Sequence, residues 1–296
     1  MSATVDAVAG RGADAIERRV TLSERWRRPI LILVCLEALV LFGPTVAWLW
    51  DRWTMSVWQN AHGMFIPPLA AWLAWQALKE QPDLPTESSR WGFVLLVPAL
   101  AVHAIDAGIH TQLLSAVALF LALPGLALLL LGGPRTRLIA FPLALLFFAV
   151  PIPLGFTEPL QLVLRQIAAV TTAAVLPVFG VPVFREGTLL DTMSGTVSIS
   201  DACSGFSTLY ASITVAALVA YMAPTWRQRV MVLAAAAPVA IAANLLRVIA
   251  LTLMVAWGEG WLLGTFVHPL SGMLTFALAL PVLFWLGEPR KAEVKL

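Results

Sequence analysis

The sequence predicts an all-α polytopic membrane protein of about eight transmembrane helices, with a short extracytoplasmic β-hairpin-like loop just before Cys203. Three observations carry that prediction. Hydrophobic residues make up 59% of the 296-residue chain and charged ones 12%, with a mean hydropathy of +0.85; a soluble domain is roughly 45–50% apolar. Apolar windows long enough to cross a bilayer recur along the chain. The basic residues concentrate in alternate connections between those windows, as they do where one side faces the cytoplasm.

Residues 1–28 form a polar N-terminal arm holding six arginines, Arg11, Arg18, Arg19, Arg25, Arg27 and Arg28. The apolar run after it exceeds the roughly 7–15 residues of a cleavable signal, so the first span is expected to stay as an anchor. Spans are expected at 29–50, 63–78, 91–107, 112–132, 137–154, 204–223, 229–257 and 264–286. The second is the shortest and carries Pro67-Pro68. Residues 29–286 thus read as one membrane domain without internal repeats. Residues 287–296 form a tail, after which no fused soluble domain is expected.

Lys79 and Arg90, Arg135 and Arg137, and Arg227 and Arg229 fill the even-numbered connections, and Arg290, Lys291 and Lys295 the tail. With the arm, fifteen of the nineteen basic residues fall on one side. Both termini are therefore expected in the cytoplasm. The long segment 155–202 then faces outward. Its first half, from Glu158 to Leu176, is apolar after an initial charge, and reads as interfacial or dipping into the bilayer. In its second half, 183–200, residues alternate and glycines stand at turn spacing, which reads as a β-hairpin.

The net charge of +2 gives no reason to expect nucleic acid. Cys35 and Cys203 lie in different settings and lack metal-type spacing, so neither a disulfide framework nor a metal is expected. No cofactor is expected either, and His-Glu-x-x-His does not occur.

Candidate chemistry centres on Asp201-Ala202-Cys203-Ser204-Gly205-Phe206-Ser207, where a polar loop turns into an apolar helix. Arg247 lies deep in the seventh span, and an arginine there is costly enough to mark function by default. Asn244, three residues earlier, shares its helix face. His268, next to Pro269, falls at the outer start of the last span, where proline suits the first turn. The three residue types fit one reaction. A cation lowers the thiol pKa, an imidazole moves the proton, and a guanidinium stabilises either the thiolate or an oxyanion. The implied reaction is acyl transfer through a thioester, ending in hydrolysis or in transfer to an amine.

Each residue has a plainer reading. A cysteine in a membrane protein is usually a small buried hydrophobe, and Cys35 keeps that reading. Arg247 could form a structural pair with Glu37 or Asp106. His268 could be an interfacial histidine. His62 lies at an outer loop as a competing base, and His103 and His110 flank Asp106, where a metal would need further ligands. What favours the joint reading is that three suitable types share one side.

At these residues the chain resembles the exosortase and archaeosortase family of membrane cysteine transpeptidases. The resemblance rests on Asp201-Ala202-Cys203-Ser204-Gly205, Asn244-Leu245-Leu246-Arg247 and His268, the last pointing to the exosortase branch. His62-Gly63, Phe141-Pro142 through Pro151-Ile152-Pro153, and Phe184-Arg185-Glu186-Gly187 support it, so it covers roughly residues 60–286. Phe206-Ser207 departs from the aliphatic residue and arginine that many members carry. The resemblance implies that Cys203 is the nucleophile, assisted by Arg247 and His268, with Asn244, Ser204, Gly205, His62 and Arg185 in support. It implies an enzyme of the bacterial cytoplasmic membrane, its site facing outward, acting on secreted proteins. Their C-terminal tails would carry a short motif, often of Pro-Glu-Pro type, an apolar helix and a basic cluster. The acceptor would be an envelope or exopolysaccharide-linked group.

Two other readings compete. Gly205-Phe206-Ser207-Thr208 with a later histidine suggests a rhomboid-like intramembrane serine protease using Ser207, which leaves Arg247 without a role. A small-molecule transporter would line its path with Arg247, Asp106 and Glu37 and would not depend on Cys203.

Overall fold

The computed structural model describes residues 29, 32–34, 36–55, 60–200, 204–264 and 267–288, with the backbone alone at 263, 264, 268 and 269. The chain divides into two compact units, Met1–Trp48 and Leu49–Leu296. In the first, every described residue is helical, and the apolar helix α1, Ile32–Thr54, begins there.

In the second unit, a 3₁₀ turn at Ala61–Phe65 leads into α2, Ile66–Glu80. Pro67 and Pro68 sit in the first turn of α2, where no backbone donor is needed, so the pair starts the helix rather than weakening it. Helices α3, Gly92–Ile109, and α4, Leu113–Leu138, form a hairpin. Asp106 closes its turn by accepting from Ser115 N over 2.9 Å and from the Thr111 hydroxyl, while His103 Nδ1 lies 2.9 Å from Ser115 Oγ. Asp106 therefore caps α4.

The expected span at 137–154 is not one helix. A stub, α5 at Ala140–Leu145, tightens to 3₁₀ at Leu146–Ala149 and stops at an extended stretch containing Pro151 and Pro153, which lack a backbone donor. Helix α6 then runs Leu154–Val175 and ends in a 3₁₀ turn, Leu176–Phe179. Leu154–Phe179 is long and apolar enough to cross a membrane, so the first half of the supposed outer segment is a candidate span. The carbonyls left open at the break find donors. Ala149 O accepts from Trp53 Nε1 over 2.8 Å and Asn60 Nδ2 over 3.2 Å, and Val150 O accepts from the Tyr210 hydroxyl over 3.1 Å. In apolar surroundings an unpaired carbonyl costs several kcal/mol, so broken backbone persists only where side chains meet it.

The expected hairpin is a three-stranded antiparallel meander: β1, Val183–Glu186; β2, Leu189–Thr192; and β3, Gly195–Ser198. Leu190 pairs with Arg185 on one side and Val197 on the other. Leu190, Val197 and Ile199 are buried against Ala168 and Ala169 of α6 and against Val248, Leu251 and Val255 of α8.

Helices α7, Phe206–Met222; α8, Trp226–Ala256; and α9, Val267–Gly287, make the rest of the core. Helix α8 serves as its axis. Near the Trp226 end, Val219 and Ala220 of α7 and Leu283 of α9 pack on Val232 and Ala236. At its middle, Phe206 and Leu209 of α7 and Leu164 of α6 meet Ala240. The sheet covers its Ala256 end.

Among the described residues, six helices are long and apolar enough to cross a membrane. The apolar segments Ala140–Ala149 and Phe206–Met222 are shorter, as is α2 with 15 residues, so length alone does not reach the expected count of about eight.

Candidate functional site

Helix α7 starts where it does because of Ser204 and Gly205. Phe206 N donates to Ser204 Oγ over 3.2 Å, and Gly205 takes φ +80°, a conformation that favours glycine. Space also demands glycine there: a β-carbon on Gly205 would lie 2.5 Å from Asn244 Cγ and 2.7 Å from Asn244 Nδ2. The start of α7 is thus pressed onto the buried Asn244 of α8. Leu164, Ile167, Ser204, Gly205, Asn244 and Leu245 border a recess of about 10 Å³, room for one water molecule.

Asn244 stands twelve residues before Ala256, about 18 Å below that end of α8. The N-terminal end of α7 therefore lies alongside the middle of the long apolar helix α8.

Arg247 is one turn nearer the sheet. Its Nε donates to Ser271 Oγ over 2.9 Å, and a β-carbon on Gly272 would lie 3.6–3.7 Å from the guanidinium atoms Nη1, Cζ and Nη2. The guanidinium thus rests on α9. His268 stands three and four residues before Ser271 and Gly272 on that helix, so its backbone belongs to the face that meets Arg247. Asp106 is taken up in capping α4, accepting from Ser115 N and the Thr111 hydroxyl.

Cys203, with Asp201 and Ala202, lies outside the described residues, as do Cys35 and the side chain of His268. Two contacts are described next to the motifs. The Ser204-Gly205 turn touches Asn244, and Arg247, on the same face of α8, touches α9 at Ser271.

His62 approaches α7 from the 3₁₀ turn before α2. Its ring meets Tyr210 edge-on, with centroids 4.7 Å apart and planes at 89°, and the Tyr210 ring lies 6.1 Å from that of Phe206. Burial lowers the His62 pKa from 6.5 to about 4, which leaves the ring neutral. Arg185 is exposed on β1, where its Nη1 donates to Gly187 O over 2.9 Å. Among the described side chains, no imidazole hydrogen-bonds Ser207.

Sequence reasoning passed over Tyr210 and Ser271. The spacing from His268 to Ser271-Gly272 repeats a helix turn and offered a signal for the second; nothing local marked Tyr210.

A family model described as transmembrane exosortase (Exosortase_EpsH) matches residues 50–285. A search of the curated proteins and one of the solved structures return no match.

Proposed function

Since the chain belongs to the transmembrane exosortase family, we propose that it is a cysteine peptidase and transpeptidase acting through a thioester on Cys203. One observation carries this reading. Gly205, two residues after Cys203, is packed on Asn244, and the Arg247 guanidinium on the same face of α8 is anchored to the helix that bears His268. Contacts between α7 and α8 and between α8 and α9, next to the residues this reading assigns to acyl transfer, support it.

The steps follow from the residue types. Arg247 favours the thiolate, since a nearby cation lowers a thiol pKa, and Ser271 orients its planar fork. The thiolate attacks the substrate carbonyl, forming a carbon–sulfur bond. As the tetrahedral species collapses, the carbon–nitrogen bond breaks and the leaving amine takes the proton held by His268. Water or an acceptor amine then attacks the thioester, gives its proton to the same imidazole, and releases the thiolate. The chemistry calls for neither metal nor cofactor.

The substrates of this reading are secreted proteins whose C-terminal tails carry a recognition motif of Pro-Glu-Pro type, an apolar helix and a basic cluster. The site faces away from the cytoplasm in the bacterial inner membrane, with both termini inside, and the acceptor is an envelope or exopolysaccharide-linked group. A tail helix would lie in the bilayer beside α7–α9 and present its motif at the depth of Asn244 and Arg247.

The test is a secreted reporter ending in such a tail, produced with the wild-type protein and with Cys203→Ala, Arg247→Ala and His268→Ala. The reading expects trimming by the wild type alone, with all four proteins present in the membrane. Trimming by Cys203→Ala rejects it, and trimming lost only in Ser207→Ala favours the serine protease.

A further inference from the structure

Five bulky apolar side chains stand out around the Ala256 end of α8. Phe179, Phe184, Met193, Trp257 and Trp261 are between 62% and 89% exposed, and apolar surface of this kind marks a place of contact. Their positions follow from the fold. Leu190, Val197 and Ile199 hold the sheet against Val248, Leu251 and Val255. Ser194 Oγ donates to Ala256 O over 2.7 Å, and a β-carbon on Gly195 would lie 3.2 Å from Val255 Cγ1. The sheet thus runs beside the last two turns of α8, with the Met193 turn next to Ala256. Phe184 pairs with Asp191, so it lies on the sheet face opposite Leu190, turned away from α6 and α8. Phe179 ends the 3₁₀ turn that leads to β1. After Trp257 the chain folds back: Glu259 N donates to Met254 O over 2.9 Å, and Trp261 Nε1 donates to Glu259 Oε2 over 2.8 Å. The polar edge of that indole is therefore met while its ring stays open.

The length of α8 indicates what these side chains meet. Its 31 residues extend about 46 Å at 1.5 Å each, whereas a bilayer measures ~30 Å across its hydrocarbon and ~40–45 Å with its headgroups. Exposed tryptophans stand at both ends, Trp226 and Trp257, as in the aromatic belts of the two interfaces. Centred in the bilayer, α8 leaves its final ~12 Å, from Val248 to Ala256, astride the boundary between hydrocarbon and headgroups. We propose that the sheet and its flanking turns form a lipid-contact element, with Phe179, Phe184, Met193, Trp257 and Trp261 seated among the headgroups and upper acyl chains of the leaflet at the Ala256 end of α8. This surface continues the one that the bilayer already covers, since Val163, Ile167 and Val170 of α6 are exposed along the same helix that ends at Phe179. Short strands suit the place, because headgroups and water can meet edge backbone there, as hydrocarbon cannot. Arg247, nine residues before Ala256, then lies about 14 Å below that level, inside the hydrocarbon, where a membrane-borne substrate can meet it. The placement holds whether or not Cys203 reacts.

The experiment uses the full-length protein in vesicles of phosphatidylethanolamine and phosphatidylglycerol. Cys35→Ala and Cys203→Ala remove both native thiols, and a nitroxide is attached at Phe184→Cys or Met193→Cys. Both side chains are exposed, so neither substitution disturbs packing. Leu100→Cys, exposed at the middle of α3, gives the hydrocarbon reference, and Asp83→Cys, exposed in the loop after α2, gives the aqueous one. Collision rates with oxygen and with a water-soluble nickel chelate report depth. We expect the oxygen-to-nickel ratio at both positions to fall between the two references. A ratio equal to that of Asp83→Cys at either position overturns the proposal, because the surface then stands in water, open to a protein partner. Dipolar broadening that disappears on dilution with unlabelled protein also overturns it, because a second copy of the chain then covers the surface.

Discussion

Arg247 Nε donates to Ser271 Oγ over 2.9 Å, and that bond ties α8 to the face of α9 that also carries the backbone of His268. It fixes the rotation of a planar group whose orientation decides what its remaining N–H groups address. A hydrogen bond to a charged group is worth about 1.5–3 kcal/mol. Ser271→Ala should therefore slow reporter trimming about tenfold or more and slow iodoacetamide labelling of Cys203. Arg247→Lys, which keeps the charge but loses the fork, should do at least as much. Wild-type labelling rates in both would mean that the guanidinium does not act on the thiol.

Gly205→Ala should remove activity and lower the unfolding temperature. The left-handed backbone costs an L-residue about 1–2 kcal/mol, and overlap with Asn244 adds about 1–3 kcal/mol. Gly108→Ala is the control, because a β-carbon on Gly108 meets nothing within 4 Å. Thermal unfolding in detergent should separate the two clearly.

The break between α5 and α6 gives a test of coupling. Ala149 O accepts from both Trp53 and Asn60, so either donor alone can serve it. Trp53→Phe and Asn60→Ala should each lose less of that bond's worth than the pair loses together, an excess of about 1 kcal/mol in a double-mutant cycle. Tyr210→Phe, which strips the hydroxyl that donates to Val150 O, should cost about 1 kcal/mol by itself. Strict additivity of the first two would contradict the shared carbonyl.

Burial lowers His62 from 6.5 to about 4, so the unfolded chain binds a proton at this site that the folded protein does not. The sign follows directly: this contribution to stability is complete above pH 6.5 and is lost as pH falls toward 4. At about 1.36 kcal/mol per unit the full loss is about 3 kcal/mol. Unfolding temperatures at pH 5 and pH 7 should therefore differ less in His62→Phe than in the wild type. An equal drop in both would show that His62 is solvated.

Much of this architecture was legible because membrane helices are written in composition. The windows for α3, α4, α8 and α9 coincide with described helices, and the Asn244-Arg247 motif marked a helix that touches the Ser204-Gly205 turn and Ser271 of α9. Helix α6 was hidden because Glu158, Pro159, Gln161 and Arg165 lower its local hydropathy. Several of its polar residues, Thr157, Gln161 and Thr172 among them, are buried against neighbours that no window can see. The break at 150–153 was obscured for the same reason, since its carbonyls are met by Trp53, Asn60 and Tyr210 from distant parts of the chain. Depth was lost as well. That α7 begins beside the middle of α8 depends on where Gly205 meets Asn244, which is a matter of tertiary packing. Arg185 was grouped with the site by motif, and β1 holds it exposed at the sheet.

The central claim is that a substrate acyl group passes through the sulfur of Cys203. The most direct measurement is the mass of the protein's peptides after brief reaction with the tailed reporter. The account expects an acyl adduct on the peptide containing Cys203 that hydroxylamine removes, and none in Cys203→Ala. An adduct on Ser207, or continued trimming by Cys203→Ala with no adduct, would contradict it.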